Sequence, residues 1–223
     1  ESIDKTYLLH GLALIGVRSV LGIESTKGSP FNTQQNLHIP NLTFDEVNEM
    51  FQWYTRESGQ EITPEAIRAL FDATRGQPGL TCWLGELITE KYNRNKAEPI
   101  VIGLFEEAYT AAIQLLPNNN ITNIISKADK SPYREKVLEL FETGEKIVFS
   151  FDDKKINYLY MNGIIDKNED DDGHFVVRFS SPFVQKRLFN YFSGTLFEYM
   201  GQLVKPFLDL TPIITSRHLD LPE

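Results

Sequence analysis

From residue 43 onward the apolar positions recur at three- and four-residue intervals, the spacing that lays one stripe along a helix. Thr43-Phe44-Asp45-Glu46 opens the first stretch with a capping box, and Val47, Met50, Phe51 and Tyr54 follow on one face until Gly59. Thr63-Pro64 offers a cap and a proline at the first helical position for a second helix, carried by Ile67, Leu70 and Phe71 and ended by Gly76. Pro78 begins a third, through Leu80, Trp83, Leu84, Leu87 and Ile88. The polar stretch Asn93 to Pro99 leads to a fourth helix over about 101–116, stopped by Pro117 and three asparagines. Further helices are predicted over about 121–128, 132–142 (Ser131 as cap, Pro132 in the first position) and 153–162, the last capped by Asp152 or Asp153. After Gly163 comes a hairpin: Ile164-Ile165-Asp166, an acidic tip, then His174 to Phe179. Pro182 opens a helix over about 182–192, an amphipathic segment runs over about 195–208, and residues 211–223 read as frayed.

One segment breaks the helical period. Leu12-Ala13-Leu14-Ile15-Gly16-Val17 is continuously apolar, the pattern of a strand buried on both faces of a parallel sheet. No comparable run follows until residues 147–151, so the neighbours of such a strand are expected upstream of Glu1, the alternative being an edge strand of a small α+β domain. Arg18 follows directly, at the strand end where α/β sheets take ligands, often phosphates. Taken alone, it reads more simply as an arginine leaving the sheet for solvent or a carboxylate. Residues 22–41, with Gly22, Gly28, Pro30 and Pro40, read as a long loop.

The fold class expected is therefore mainly α (α+β). Residues 1–41 hold a remnant core strand and linker, 42–117 a helical subdomain, 118–209 a second unit and 210–223 a tail. In that second unit, helices followed by a hairpin are the order of a winged helix. Charge changes how such a domain is read. Lys plus Arg number 22 against 31 Asp plus Glu, for a net −9. Residues 98–223 hold 13 of the cations and 19 of the acids. Glu169, Asp170, Asp171 and Asp172 at the hairpin tip would repel DNA phosphates. The cations that could oppose them are Lys154, Lys155, Arg178, Lys186 and Arg187, a weak cluster on an acidic domain. A protein-docking winged helix is preferred to a DNA reader.

Self-contained catalytic chemistry is not legible. The chain has no Walker-type Gly-x-x-x-x-Gly-Lys-Ser/Thr, no Gly-x-Gly-x-x-Gly and no Gly-x-Ser-x-Gly, and its four histidines are scattered. The single cysteine, Cys82, beside Trp83 on an apolar-rich helix, is expected to be a buried inert thiol. Numbered from Asn168, the acidic tip places carboxylates at calcium-loop positions but puts Phe179 at the twelfth, where a glutamate is needed. No apolar run is long enough to span a bilayer. With one cysteine and no basic n-region before an apolar run, the expected compartment is the cytoplasm.

Arg18 and the sequence Arg75-Gly76-Gln77-Pro78-Gly79-Leu80 carry a resemblance. In the order of its elements over about residues 8–192, the chain resembles the back half of a bacterial AAA-like ATPase of the STAND and Orc/Cdc6 type. Ile15-Gly16-Val17-Arg18 is similar to the strand ending in the "sensor 1" residue of that superfamily. Gly76-Gln77-Pro78 is similar to the Gly-x-Pro motif of its helical lid, and Leu37 to Phe44 resemble the linker between core and lid. The resemblance implies a helical lid followed by a winged helix in an ATP-dependent switch of signal transduction. It implies ATP or ADP with Mg in the intact protein, Arg18 near the terminal phosphate, and Gln77 and Pro78 over the base. The partners implied are an upstream P-loop core and a protein effector. This chain alone would then neither bind ATP tightly nor hydrolyse it. The alternatives are a winged-helix DNA-binding regulator, and a protein-interaction scaffold docking through Phe183, Phe189, Tyr191, Phe192, Phe197 and Tyr199.

Overall fold

A computed structural model describes residues 40–93, 95–196, 214–215 and 218–219. Arg18 and the apolar segment 12–17, most of the loop over 22–41, and most of the segment over 195–208 lie outside the described residues. What is described is mainly helical, and no helix in it is long and apolar enough to cross a membrane.

Four helices come first: α1 (Phe44–Ser58), α2 (Pro64–Thr74), α3 (Pro78–Glu86) and α4 (Ile102–Gln114). The starts of α1 and α2 obey the capping chemistry of the sequence. Thr43 and Glu46 complete a reciprocal capping box, and Thr63 caps α2 ahead of Pro64. Gly59 ends α1 in the left-handed conformation, at φ 74°. The end of α2 departs from expectation. Arg75 itself turns left-handed at φ 50°, one residue before Gly76 at φ 67°. Helix α3 runs on into a π-helical turn, Leu87–Lys91, closed by Tyr92 N–H on the Leu87 carbonyl. The loop to α4 is pinned by buried Gln60, whose Nε2 donates to the carbonyls of Asn95 and Glu98 and whose Oε1 accepts from Tyr54.

The second group is α5 (Asn119–Ala128), α6 (Tyr133–Glu142), α7 (Lys154–Met161), β1 (Ile165–Glu169), β2 (Phe175–Phe179) and α8 (Pro182–Leu196). Strands β1 and β2 pair antiparallel, Ile165 opposite Phe179. The apolar run at 147–151 joins them on the far edge of β2. There Val148 bridges Val176, Phe149 N–H donates to Phe175 O and Val177 N–H donates to Ile147 O. Asp153 caps α7 through the amides of Lys155 and Ile156. One cap differs from the reading above. Ser131 does not cap α6; the Ser131–Pro132 bond is cis, Pro132 occupies the cap position, and the first amides of the helix turn to Lys130 O. Where frayed chain was expected, β3 (Ile214–Thr215) and β4 (His218–Leu219) pair antiparallel.

A single hydrophobic cluster joins both groups, from Val47 and Leu70 through Phe105 and Tyr109 to Leu159, Phe183 and Phe192. Its seam is aromatic: Phe183 of α8 meets Trp83 of α3 and Tyr109 of α4 edge-on, at centroid distances of 5.8 and 5.7 Å.

Candidate functional site: the turn between α2 and α3

The residues singled out by the Gly-x-Pro motif form the turn joining α2 to α3, which residues 41–42 and the end of β2 both contact. Gly76 is buried, and a Cβ built there would lie 1.8 Å from the Leu42 carbonyl oxygen. The close approach is mutual, since Leu42 N–H donates to Gly76 O at 2.9 Å. Asn41 Nδ2 donates to Arg75 O at 3.2 Å. The strand-like entry at 41–42 is thereby tied along the turn. Glycine is needed at 76 on two counts: positive φ and absence of a side chain.

Beneath the turn, the buried hydroxyls of Thr74 and Thr81 lie 3.1 Å apart, and Thr74 Oγ1 also accepts from Gly76 N–H. Gln77 stands at the cap of α3, where its side-chain oxygen accepts from Leu80 N–H while its own carbonyl accepts from Thr81 N–H. Pro78 follows as the first helical residue, exposed together with Gly79. Gln77 and Pro78 therefore sit at one helix start, where the dipole and spare amides favour negative charge. Much of the Gln77 oxygen's capacity is already spent on its own helix. The third site residue, Arg18, lies outside the described residues.

Sequence reading assigned no role to Arg75, yet it is the residue that links this turn to the second group. Its Nη1 donates to the carbonyl of Phe179, the last residue of β2. The guanidinium lies beside Arg178 and Asp166, which face each other across β1 and β2. Burial first, then the neighbouring Arg178, pulls its pKa down to about 10, with Asp166 opposing; it stays charged at neutral pH.

Two further cations turn inward. Arg187 Nη1 donates to Ala112 O at 2.7 Å and to Ile113 O and Leu116 O at 3.3 Å, closing the C-terminal end of α4. Lys186 is buried, with Nζ 5.3 Å from the Tyr109 ring centroid, and burial lowers its pKa to about 8. The same burial pushes the Tyr109 phenol upward. Of the five cations singled out for DNA, Arg187 and Lys186 thus make internal contacts and Arg178 is half-buried beside Arg75, while only Lys154 and Lys155 are exposed. The signal for this was in the sequence: 186 and 187 follow Phe183 by three and four residues, on its face of the helix.

Three other expectations meet the structure here. Cys82 is exposed, not buried, because the apolar face of α3 is carried by Leu80, Thr81, Leu84 and Gly85. Phe183, Phe189 and Phe192 are buried in the shared core, which removes them as a docking surface. At the hairpin tip Asp170, Asp172 and His174 bring their ligand atoms within 4.8 Å of one another. The Asp170 carboxylate is engaged there by Lys146 and by the amides of Asp172 and His174, which hold its pKa below the usual carboxylate range.

Compared with protein-family models and with curated proteins, the chain matches none.

Proposed function

We propose that residues 42–196 are the lid and winged helix of an ATP-dependent molecular switch, which relays its nucleotide state to a protein effector. The observation that carries this reading is the α2–α3 turn. An exposed Pro78-Gly79 step at a helix start is locked from behind by Leu42 against Gly76 and joined through Arg75 to the hairpin. The fit to a nucleotide is one of shape and dipole. Gly79 presents no side chain, and the start of α3 offers positive potential. Gln77 and Pro78 would border the base and Arg18 the terminal phosphate. The P-loop and the Mg ligands, which none of the 223 residues supplies in Walker form, would come from a separate core. Bound there, ATP supplies a terminal phosphate whose presence or loss distinguishes two states.

On this reading the chain by itself lacks the machinery for hydrolysis. Incubated with Mg-ATP, it is expected to release no phosphate above a buffer control. Sustained turnover that co-purifies with the chain through successive purification steps would overturn the assignment.

A second reading, duplex binding, rests on exposed Lys154 and Lys155 at the start of α7. Against it stand the inward Arg187 and Lys186 and the four tip carboxylates. Fluorescence anisotropy with labelled duplex distinguishes the two: salt-sensitive binding abolished by Lys154→Glu and Lys155→Glu would favour DNA.

A further inference from the structure

We propose that Arg75 is a coupling residue, through which displacement of the segment at Asn41–Leu42 is carried across the α2–α3 turn to the end of β2. The nucleotide meaning of that coupling rests on the function proposed above; the coupling itself is a property of this chain. Arg75 touches three segments that are far apart in sequence. Its carbonyl accepts from Asn41, its backbone makes the left-handed exit from α2, and its guanidinium donates to Phe179 O. A non-glycine residue held at φ 50° occupies a sparsely populated conformation, which persists only where the surroundings over-determine it.

The far end of the contact is equally fixed. Phe179 is buried, stacks on Phe141 at 4.6 Å, and is followed by Ser180, whose N–H donates to Ile164 O at the opposite strand's start. A charge-assisted bond to the Phe179 carbonyl therefore acts on the point where the hairpin closes and α8 begins. The same guanidinium lies by the Asp166–Arg178 cross-strand pair, so its position is felt by both strands. The turn and the hairpin end have no covalent reason to move together, being 104 residues apart. Arg75 supplies the physical link.

The test is a double-mutant cycle read by amide hydrogen exchange in the full chain, without nucleotide. Asn41→Ala removes the Asn41 Nδ2 bond to Arg75 O. With Arg75 present, it is expected to raise exchange at the Ser180 amide by about fivefold, the equivalent of one ordinary hydrogen bond. In the Arg75→Met background the further rise from Asn41→Ala should be under about twofold. The Asp129 amide, bonded to Ile125 O in α5, serves as the reference that a merely global loss of stability would also move. Arg75→Lys keeps a charged donor and should restore part of the coupling, and it replaces the Met variant should that fail to fold. An Asn41→Ala effect absent at Ser180, or equal in both backgrounds, or equal at Asp129, overturns the proposal. Because no nucleotide is added, that failure leaves the switch assignment standing, and failure to bind ATP leaves the coupling standing.

Discussion

At the scale of single residues, two glycines with nearly the same backbone angle separate strain from crowding. Gly59 at φ 74° has nothing within 4 Å of a built Cβ, whereas Gly76 at φ 67° has the Leu42 carbonyl at 1.8 Å. Gly59→Ala is expected to cost about 1 kcal/mol through backbone strain alone. Gly76→Ala must also displace the 41–42 segment and is expected to cost about 3 kcal/mol or more. Thermal melts should show a fall of about 6–12 °C for the second and well under half of that for the first. Lys186 supplies a pH signature. Its pKa in the folded chain, about 8, lies below the ordinary lysine value of 10.5, so the unfolded chain binds more protons between those values and stability rises with pH there. Above about 10 the Tyr109 phenol, held neutral by burial, opposes that rise because the unfolded chain ionises it more readily. Urea midpoints measured from pH 7.5 to 9.5 should climb, and Lys186→Met should flatten the climb.

At the scale of elements, the helix starts were the most legible part of the sequence. Thr43 with Glu46, Thr63 with Pro64, and Asp153 all cap as read, because capping uses residues adjacent in sequence. What was not legible depends on distant partners. Ser131 is the local exception, failing as a cap because its own neighbour Pro132 takes that position. The apolar run at 147–151 reads as a buried strand but meets the outer edge of β2 through a single bridge, Val148 to Val176, with Val148 exposed. Arg187 is a further case: its charge suggested a nucleic-acid contact, and its place on the Phe183 face made it the closing donor of α4. Arg187→Met leaves those carbonyls without their charged donor and is expected to cost about 2–3 kcal/mol. Its signature is faster amide exchange in the last turn of α4, around Ile113 and Leu115, beyond that seen in α5.

At the scale of the whole described unit, the two helical groups share one core, so they should unfold as one. Trp83 reports on the seam through Phe183, while Trp53 is 57% exposed and contributes a solvent-like signal. In a Trp53→Phe variant, Trp83 fluorescence and far-UV circular dichroism should give coincident urea transitions; separated midpoints would mean independent units. A shared core also shapes the functional account. A lid and winged helix joined by Trp83, Tyr109 and Phe183, by Arg187 on α4 and by Arg75 on β2 would turn together, passing a nucleotide state onward as motion of one body. The sequence showed the Gly-Gln-Pro turn and the order of elements. The tie between them was hidden because Arg75 acts on a carbonyl, which no side-chain pattern announces. The central claim, that the α2–α3 turn is a nucleotide-facing lid, is tested most directly by titrating Mg-ATP into the isotope-labelled chain and following its amide resonances. The account predicts weak, millimolar-range shifts concentrated at Gly76, Gln77, Gly79 and Leu80, with the hairpin tip at Asp170–His174 silent. Shifts absent from that turn at saturating nucleotide, or confined to other surfaces, would contradict it.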